Sequence, residues 1–323
     1  MAGEVSIGSI GELLVEFVSA EKDSHNRRVA AYSGPFPSGA PAIFISQAAR
    51  LGARTIFAGA VGADAFGDVL VERLKADGVA LDLVRRVADR PTGTAMVAYN
   101  SDGSRDFVFN IAQSAAPYFD EAAAIIAGLR AFKLDVLHVS GSSLADPRMA
   151  KTILEVCERL RGDGVRISFD PNIRKELADD AAYVAVVHRL LAISSYFLPS
   201  EEDLAFLFPN RSFETVVETL FERAVDYAVL KRGNRGCVAV ARDGEKAKVA
   251  GHEVRVLDPT GAGDCFCATF VTLIAASTHG LRAALERANA AGALAVMKLG
   301  PMEGNAPLDA VEQFLKQSVA RAS

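Results

Sequence analysis

Tryptophan is absent from the 323 residues, and aromatic residues make up only 7%. The core must therefore come from Ala, Val, Leu, Ile and Phe, and half of the chain is hydrophobic. Cysteine is scarce. Cys157, Cys237, Cys265 and Cys267 form no CxxC pair and have no His at zinc-finger spacing. Cys265 and Cys267 fall inside an apolar run, where a thiol behaves as a small hydrophobe, so reduced core thiols are expected. There is no basic surplus: 35 basic against 40 acidic residues give a net charge of -5. That excludes a protein whose main work is to coat a nucleic-acid backbone. It does not exclude a small anionic ligand, which a local site can bind against the global sign. No apolar stretch reaches the roughly 18 residues that span a bilayer. The opening MAGEVSIGSIGELLVEF lacks the basic start of a secretory signal. The expectation is a soluble cytoplasmic protein with no nucleic-acid or membrane partner. No repeat, low-complexity tract or Pro/Ser-rich linker interrupts the chain. Its length fits two domains or one large α/β domain, and the missing linker favours one continuous domain over 1–323.

What is present is an alternation. Residues 4–9, 54–59, 135–139, 165–169, 195–198 and 226–230 are short, nearly continuous apolar runs, as parallel strands covered on both faces should be. Helical patterns lie near 40–51, 64–77, 120–131, 147–162, 179–193, 201–208 and 212–224. Beyond residue 258 the pattern is helical over 261–277, 281–298 and 307–320. This order predicts a three-layer α/β fold with a mostly parallel central sheet. Two segments depart from it. Residues 11–33 and 92–110 carry period-2 strands, and Asn100–Gly103 supplies turn chemistry between two of them. They predict a small accessory sheet, either a lid or an antiparallel extension of the main sheet.

The strongest local signal is Asp258-Pro259-Thr260-Gly261-Ala262-Gly263-Asp264. A strand-like EVRVL leads into a glycine turn, and an apolar helix follows. Glycines 261 and 263 let backbone N–H groups converge at a helix start, which makes an anion cradle. Asp264 beside such a cradle has two readings. It is a helix N-cap, or it takes a proton from a hydroxyl that attacks phosphorus. The helix is apolar on nearly every face and should be buried. A buried acid there needs a partner or a task. Other nucleotide signatures fail: there is no GxxxxGK[ST], and glycines 59, 62 and 67 do not form GxGxxG.

DPTGAGDCF and its helix resemble the second signature of the ribokinase-like (PfkB) carbohydrate kinases. Ser38-Gly39-Ala40-Pro41 with GAVGADAFGD resembles the first. Asp170-Pro171-Asn172-Ile173-Arg174 resembles the DxNxR strand end, Pro199–Asp203 the NxxE stretch, and Lys231-x-Gly233-x-x-Gly236 the KxGxxG segment. The resemblance covers almost the whole chain. It implies the three-layer fold with a β-sheet lid, and transfer of phosphate from ATP with Mg2+ to a primary hydroxyl of a small sugar. Asp264 would be the base, and the amides of Gly261, Ala262 and Gly263 would hold the developing charge. Ser200, Lys231, Gly233, Gly236 and Asn289 would serve the nucleotide. Asp203 would reach Mg2+ through water. Asp258 and Thr260 resemble a monovalent-cation loop with K+ as its ion, or are a turn acid and a turn hydroxyl. Glu12, Gly39, Tyr99, Phe109 and Arg174 would face the sugar. Tyr99, on a period-2 strand, could face either sugar or bulk water. Homodimers through the lid are implied as well.

Departures from the family pattern bear on substrate and metal. Ser38 and Ile43 stand where the family has Gly and a sugar-contacting Asn, and Ser200 and Asp203 replace Asn and Glu. A changed Mg2+ arrangement is expected, with Glu201 or Glu202 as substitutes. The DGSRDFVF and SAA stretches resemble 2-keto-3-deoxygluconate kinases and ketohexose kinases. Ile111 occupies the position of a carboxylate-pairing Arg, which favours a neutral ketohexose, although Arg105 or Arg174 could supply charge. A nucleoside kinase of the same fold and a sensor without turnover are the competing readings.

Overall fold

The computed structural model describes residues 5–102, 104–173 and 180–322. The chain opens with β1 (Ser6–Ile10), then leaves the main sheet for β2 (Leu14–Ser19) and β3 (Tyr32–Ser38). It returns through α1 (Ala40–Arg50), β4 (Arg54–Gly62), α2 (Ala65–Ala76) and β5 (Ala80–Val87). A second excursion supplies β6 (Gly93–Tyr99) and β7 (Arg105–Asn110). Then come α3 (Ala122–Phe132), β8 (Val136–Ser140), α4 (Pro147–Gly162), β9 (Arg166–Asp170), α5 (Ala181–Ile193) and β10 (Tyr196–Phe197). The last third carries α6 (Glu201–Leu207), α7 (Phe213–Phe221), β11 (Tyr227–Lys231), β12 (Cys237–Ala241), β13 (Lys246–Val249), α8 (Ala262–Ala275), α9 (Leu281–Ala295) and α10 (Leu308–Ala322).

The large sheet runs β13-β12-β11-β10-β9-β8-β1-β4-β5. It is parallel except at the β11–β12–β13 edge. One face is packed by α3, α4, α5 and α7 through residues such as Ile125, Ile153, Leu190 and Val216. The other is packed by α1, α2, α8 and α9 through Phe44, Leu70, Phe270 and Leu285. Phe44, Phe57 and Phe270 are fully buried. Each such side chain contributes roughly 1.5–3 kcal/mol relative to exposure. The central strands are buried on both faces, which is why they read as unbroken apolar runs. α4 starts where its sequence requires: the Asp146 side chain accepts from the Arg148 and Met149 amides, and Pro147 fills the first turn.

β3-β2-β6-β7 form a separate four-stranded sheet. It extends to Ser38, beyond the expected limit of residue 33. Three further strands were not legible. β5 is half-exposed with two arginines, and β12 and β13 form an edge hairpin. EVRVL, expected as a strand, is irregular. Val256 and Leu257 are exposed, and among the described residues no strand pairs with them. No described helix is long and apolar enough to cross a membrane.

β1 lies between β4 and β8, so the chain winds outward in both directions from it. The carboxyl ends of strands flanking such a reversal form the usual ligand crevice of α/β sheets. β1 ends before Gly11-Glu12, β9 at Asp170 and β11 at Lys231.

Candidate active site

Two cavities meet over these strand ends. The inner one, about 670 Å³, lies beneath the small sheet and is lined by Glu12, Glu16, Arg105, Phe107, Asp170 and Asp264 among others. The outer one, about 680 Å³, runs from Arg232–Gly236 past His252–Val256 to Asn289 and Gly292 on α9. Lys231, Gly233, Pro259 and Gly263 line both, so they form the shared wall.

That wall is the start of α8. Gly261 is its N-cap at φ 83°, and a Cβ there would meet the Pro301 carbonyl at 2.4 Å. Only glycine fits that turn. The first helical bond is donated by the Cys265 amide to the Gly261 carbonyl. The amides of Ala262 and Gly263 therefore have no acceptor within the helix. A Cβ on Gly263 would meet only the Lys231 Nζ, at 3.6 Å, on the cavity side. This open cradle at a helix N-terminus fits an anion such as a polyphosphate. Asp264 lies in the first turn and lines the inner cavity, beside the cradle.

Charge is concentrated in the inner cavity. The Lys231 ammonium forms a buried pair with Asp170, and the Cys267 thiol touches both, at 3.6 and 3.4 Å. Burial works against the ammonium, and the Asp170 charge, with Cys267 and Asp203 behind it, outweighs burial and raises its pKa. Asp170 Oδ1 is buried with no partner among the described residues. Glu16, on β2, is 3% exposed. Its Oε2 accepts from the Ser38 hydroxyl at 3.2 Å, and its Oε1 is buried with no partner among the described residues. Burial, then the nearby charge of Asp258, push its pKa up to about 8.

The expected residues divide on inspection. Asp264, Gly261, Gly263, Glu12, Gly39, Phe109, Ser200, Asp203, Lys231, Gly233 and Thr260 line the inner cavity. Ala262, Gly236 and Asn289 line the outer one, where the Asn289 amide donates to the Ala250 carbonyl at 2.7 Å. Arg174 lies outside the described residues. The carboxylate of Glu12 is occupied by the hydroxyls of Ser142, at 2.7 Å, and Ser143. Glu16, four residues on, holds the unsatisfied oxygen that Glu12 was expected to offer. Tyr99 is half-buried and does not line the inner cavity. Its hydroxyl donates to Asp258 Oδ1. Asp203 is the partner of Ser200 in a helix cap: its Oδ2 accepts from the Ser200 amide and hydroxyl at 2.8 and 2.6 Å, and its Oδ1 from the Ile173 amide at 2.8 Å. Those bonds leave Asp203 little capacity toward a metal's water. Ile111 lines a neighbouring cavity on the far side of Phe109, and among the described residues Arg105 is the arginine that reaches the inner one.

Glu16 was missed because two acids four apart on a period-2 segment point the same way, and the serines that take one of them lie about 130 residues on. Among the described residues no cluster of three or more His, Cys, Asp or Glu is built to hold a metal alone. A hard divalent ion that travels with a polyphosphate needs only one or two protein carboxylates. Glu202 and Asp264 line the inner cavity beside the cradle, so the donor set fits.

Comparisons with known proteins agree with this geometry. Residues 6–307 match the model of the pfkB family carbohydrate kinases. A fructokinase of Vibrio alginolyticus is 30% identical over 275 residues, covering 82% of this chain and 87% of that protein. Among solved structures, an Escherichia coli protein provisionally named Ribokinase II, in complex with ATP and Mg2+, is 35% identical with a TM-score of 0.90, covering 97% of this chain and 99% of that one. A fructokinase of Vibrio cholerae, solved with fructose, ADP and a calcium ion, is 25% identical with a TM-score of 0.82, covering 97% and 99%. A double mutant of that enzyme was solved with fructose, ADP and a potassium ion, at the same identity and TM-score, covering 97% and 98%.

Proposed function

The chain belongs to the pfkB family of carbohydrate kinases, and from that premise we propose that it moves the γ-phosphoryl group of ATP to a primary hydroxyl of a small neutral sugar of the ketohexose class. One observation carries this reading. Asp264 lines the inner cavity and not the outer one, and Gly263, its neighbour, lines the wall shared by both. An acceptor hydroxyl in the inner cavity and a triphosphate in the outer one would meet across that wall.

The Asp264 carboxylate takes the proton as the acceptor oxygen forms its bond to phosphorus and the bond to the ADP oxygen breaks. The amides at the start of α8 face the charge that gathers on the transferring group, and the small sheet contributes Glu16, Arg105 and Phe107 to the cavity that holds the acceptor. Lys231 keeps its positive charge beside Gly263 because Asp170 holds it there. A divalent ion of the Mg2+ class would neutralise phosphate charge, with Glu202 as the carboxylate nearest in role. The Oε1 of Glu16, which has no partner among the described residues, is free to hydrogen-bond a sugar hydroxyl. Ketohexose is favoured over a sugar acid because curated relatives are named fructokinases and because Ile111 cannot pair a carboxylate.

The test is ADP release from ATP and Mg2+ over a panel of ketohexoses, aldoses, sugar acids and nucleosides. Saturable turnover with a ketohexose is expected. Turnover confined to a nucleoside or a sugar acid would overturn the substrate class, and ATP binding without turnover on any of them would overturn the kinase reading.

A further inference from the structure

A further cavity, of about 600 Å³, adjoins the inner one, and the reaction described above makes no use of it. Among the described residues Phe109 alone lines both. Arg105, Phe107 and Phe109 alternate along β7 and share the face turned to the inner cavity. Their side chains form a row. The Arg105 guanidinium lies 5.3 Å from the centre of the Phe107 ring, and Phe107 stacks on Phe109 at 5.1 Å. Arg105 marks the end of the row nearest α8, since its Nη1 donates to the Thr260 hydroxyl at 3.4 Å. Four residues of strand put Phe109 about 13 Å further along. An acceptor that lies along this row with its hydroxyl at Asp264 points its other end at the Phe109 ring.

The space beyond that ring has a definite chemistry. Among the described residues no lysine, arginine or glutamate lines it. Its one carboxylate, Asp64, is turned to the protein: Oδ1 accepts from the Gly67 amide at 2.8 Å and the Thr92 hydroxyl at 2.6 Å, and Oδ2 from the Thr92 amide at 2.8 Å. Two aromatic rings, Phe66 and Phe109, stand among the neutral side chains of Thr94, Asn110 and Gln113. The volume is within the range of small-molecule sites, and apolar rings with a few neutral donors and acceptors are what such sites use for orientation. A second sugar ring suits this lining, with its C–H faces on the aromatic rings and its hydroxyls on the amides. A phosphate or carboxylate would find no cation there.

We propose that the cavity beyond Phe109 is a subsite for a second neutral sugar ring, and that Phe109 is the specificity-determining residue that closes it, holding the acceptor to a single ring. The inference rests on the sugar-kinase reading above for its kinetic half.

Two measurements test it, each with fructose, sucrose and lactulose. The two disaccharides carry the second ring on different positions of a fructose unit and keep free primary hydroxyls. The first measurement is melting, because a ligand that binds only the folded state raises the melting temperature. Fructose should raise that of wild type and the disaccharides should not. In Phe109→Ala at least one disaccharide should. The second is ADP release from ATP and Mg2+. Wild-type kcat/KM should favour fructose over both disaccharides by about a hundredfold or more. Phe109→Ala should lose about two- to tenfold on fructose, the size of one aromatic contact. It should gain about tenfold or more on a disaccharide, a reversal of preference that mere loosening of the fold would not give. Gln113→Ala, added to Phe109→Ala, should take back part of that gain. Should Phe109→Ala fail to fold, Phe109→Val, whose branched side chain suits a strand, carries the same prediction at smaller size. A wild type that accepts a disaccharide as readily as fructose overturns the proposal. So does a variant that gains neither melting shift nor turnover with either disaccharide, while wild-type activity on fructose still upholds the kinase reading. Disaccharide melting shifts confined to the variant, with no phosphorylation of any sugar, would overturn the kinase reading and uphold the partition.

Discussion

The inner and outer cavities share a wall and are built on opposite terms. The inner one is made of side chains from distant places: Glu16 and Arg105 from the small sheet, Asp170 from β9, Lys231 from β11 and Asp264 from α8. Glu16 and Asp170 are buried, held by Ser38 and by Lys231 from other parts of the chain. The outer cavity draws its lining from the last third of the chain, with backbone-exposing small residues, Gly233, Gly236, Ala262, Gly292 and Ala293, beside Arg232, His252 and Glu253. A pocket for a common polyphosphate can rest on backbone amides, which need only the right turn. A pocket that distinguishes one hydroxyl from another needs side chains fixed by their neighbours. If this contrast is right, substitutions inside should act through charge and shape stability as well as rate, and substitutions outside should act on nucleotide affinity alone.

The largest effect expected is at the inner pair. Lys231→Met leaves the Asp170 carboxylate buried and uncompensated, with 4% of its side chain exposed. Removing one partner of a buried pair costs about 3–5 kcal/mol. Denaturant unfolding should show that loss, and the double variant Lys231→Met with Asp170→Asn should recover much of it. A single variant as stable as wild type would mean that the pair is solvated and the inner cavity is not the low-dielectric site described. Next in size is Asp264→Asn, expected to lower kcat at least about a hundredfold, the low end for a lost general base. The KM for ATP should hold, because Asp264 lines only the inner side. A near-normal rate would remove the base and with it the asymmetry of the wall.

Glu16 sharpens the contrast through pH. Its folded-state pKa lies near 8 against an ordinary 4.5, so between those values the folded protein keeps a proton that the unfolded chain has lost. Stability therefore falls as pH rises through this window, by up to about 1.4 kcal/mol per pH unit, and levels off above it. Glu16→Gln should abolish that slope. Wild type and variant should then differ more at about pH 8 than at about pH 6, measured by denaturant midpoints without ligand. Parallel pH profiles would show that Glu16 is hydrated and ionised, and that Glu12 deserves renewed attention as the sugar's acceptor.

Much of the frame was legible in the sequence for a physical reason. Buried parallel strands must be apolar throughout, so β8, β9 and β11 were read within a residue of their ends, and the helical pattern over 147–162 matches α4. The cradle was legible because a glycine turn before an apolar helix is a local pattern. β5 was not, since its alternation is broken by exposed arginines. EVRVL misled because alternation alone cannot say whether a neighbouring strand exists. Glu16 and Tyr99 were beyond reach for another reason. Their roles are set by Ser38, Ser143 and Asp258, whose proximity arises only when the small sheet folds over the strand ends.

The smallest effect should come from the outer cavity, and it is the cleanest trial of the contrast. Asn289 sits on α9, and its side-chain amide donates to the Ala250 carbonyl at 2.7 Å. That bond anchors the irregular stretch that carries His252–Val256 along the cavity wall. No ladder holds this stretch, since β13 ends at Val249. Losing one neutral hydrogen bond typically costs about 0.5–1.5 kcal/mol, so Asn289→Ala should raise the KM for ATP by about two- to tenfold. The wall at Gly263 and the charges beyond it are untouched, so kcat and the KM for sugar should stay within about twofold of wild type. A fall in kcat of the size expected for the inner cavity would mean that the outer segment transmits its position through α8 to Asp264. The two cavities would then be one mechanical unit, and backbone cradle and side-chain pocket could not be treated as separate solutions to separate problems.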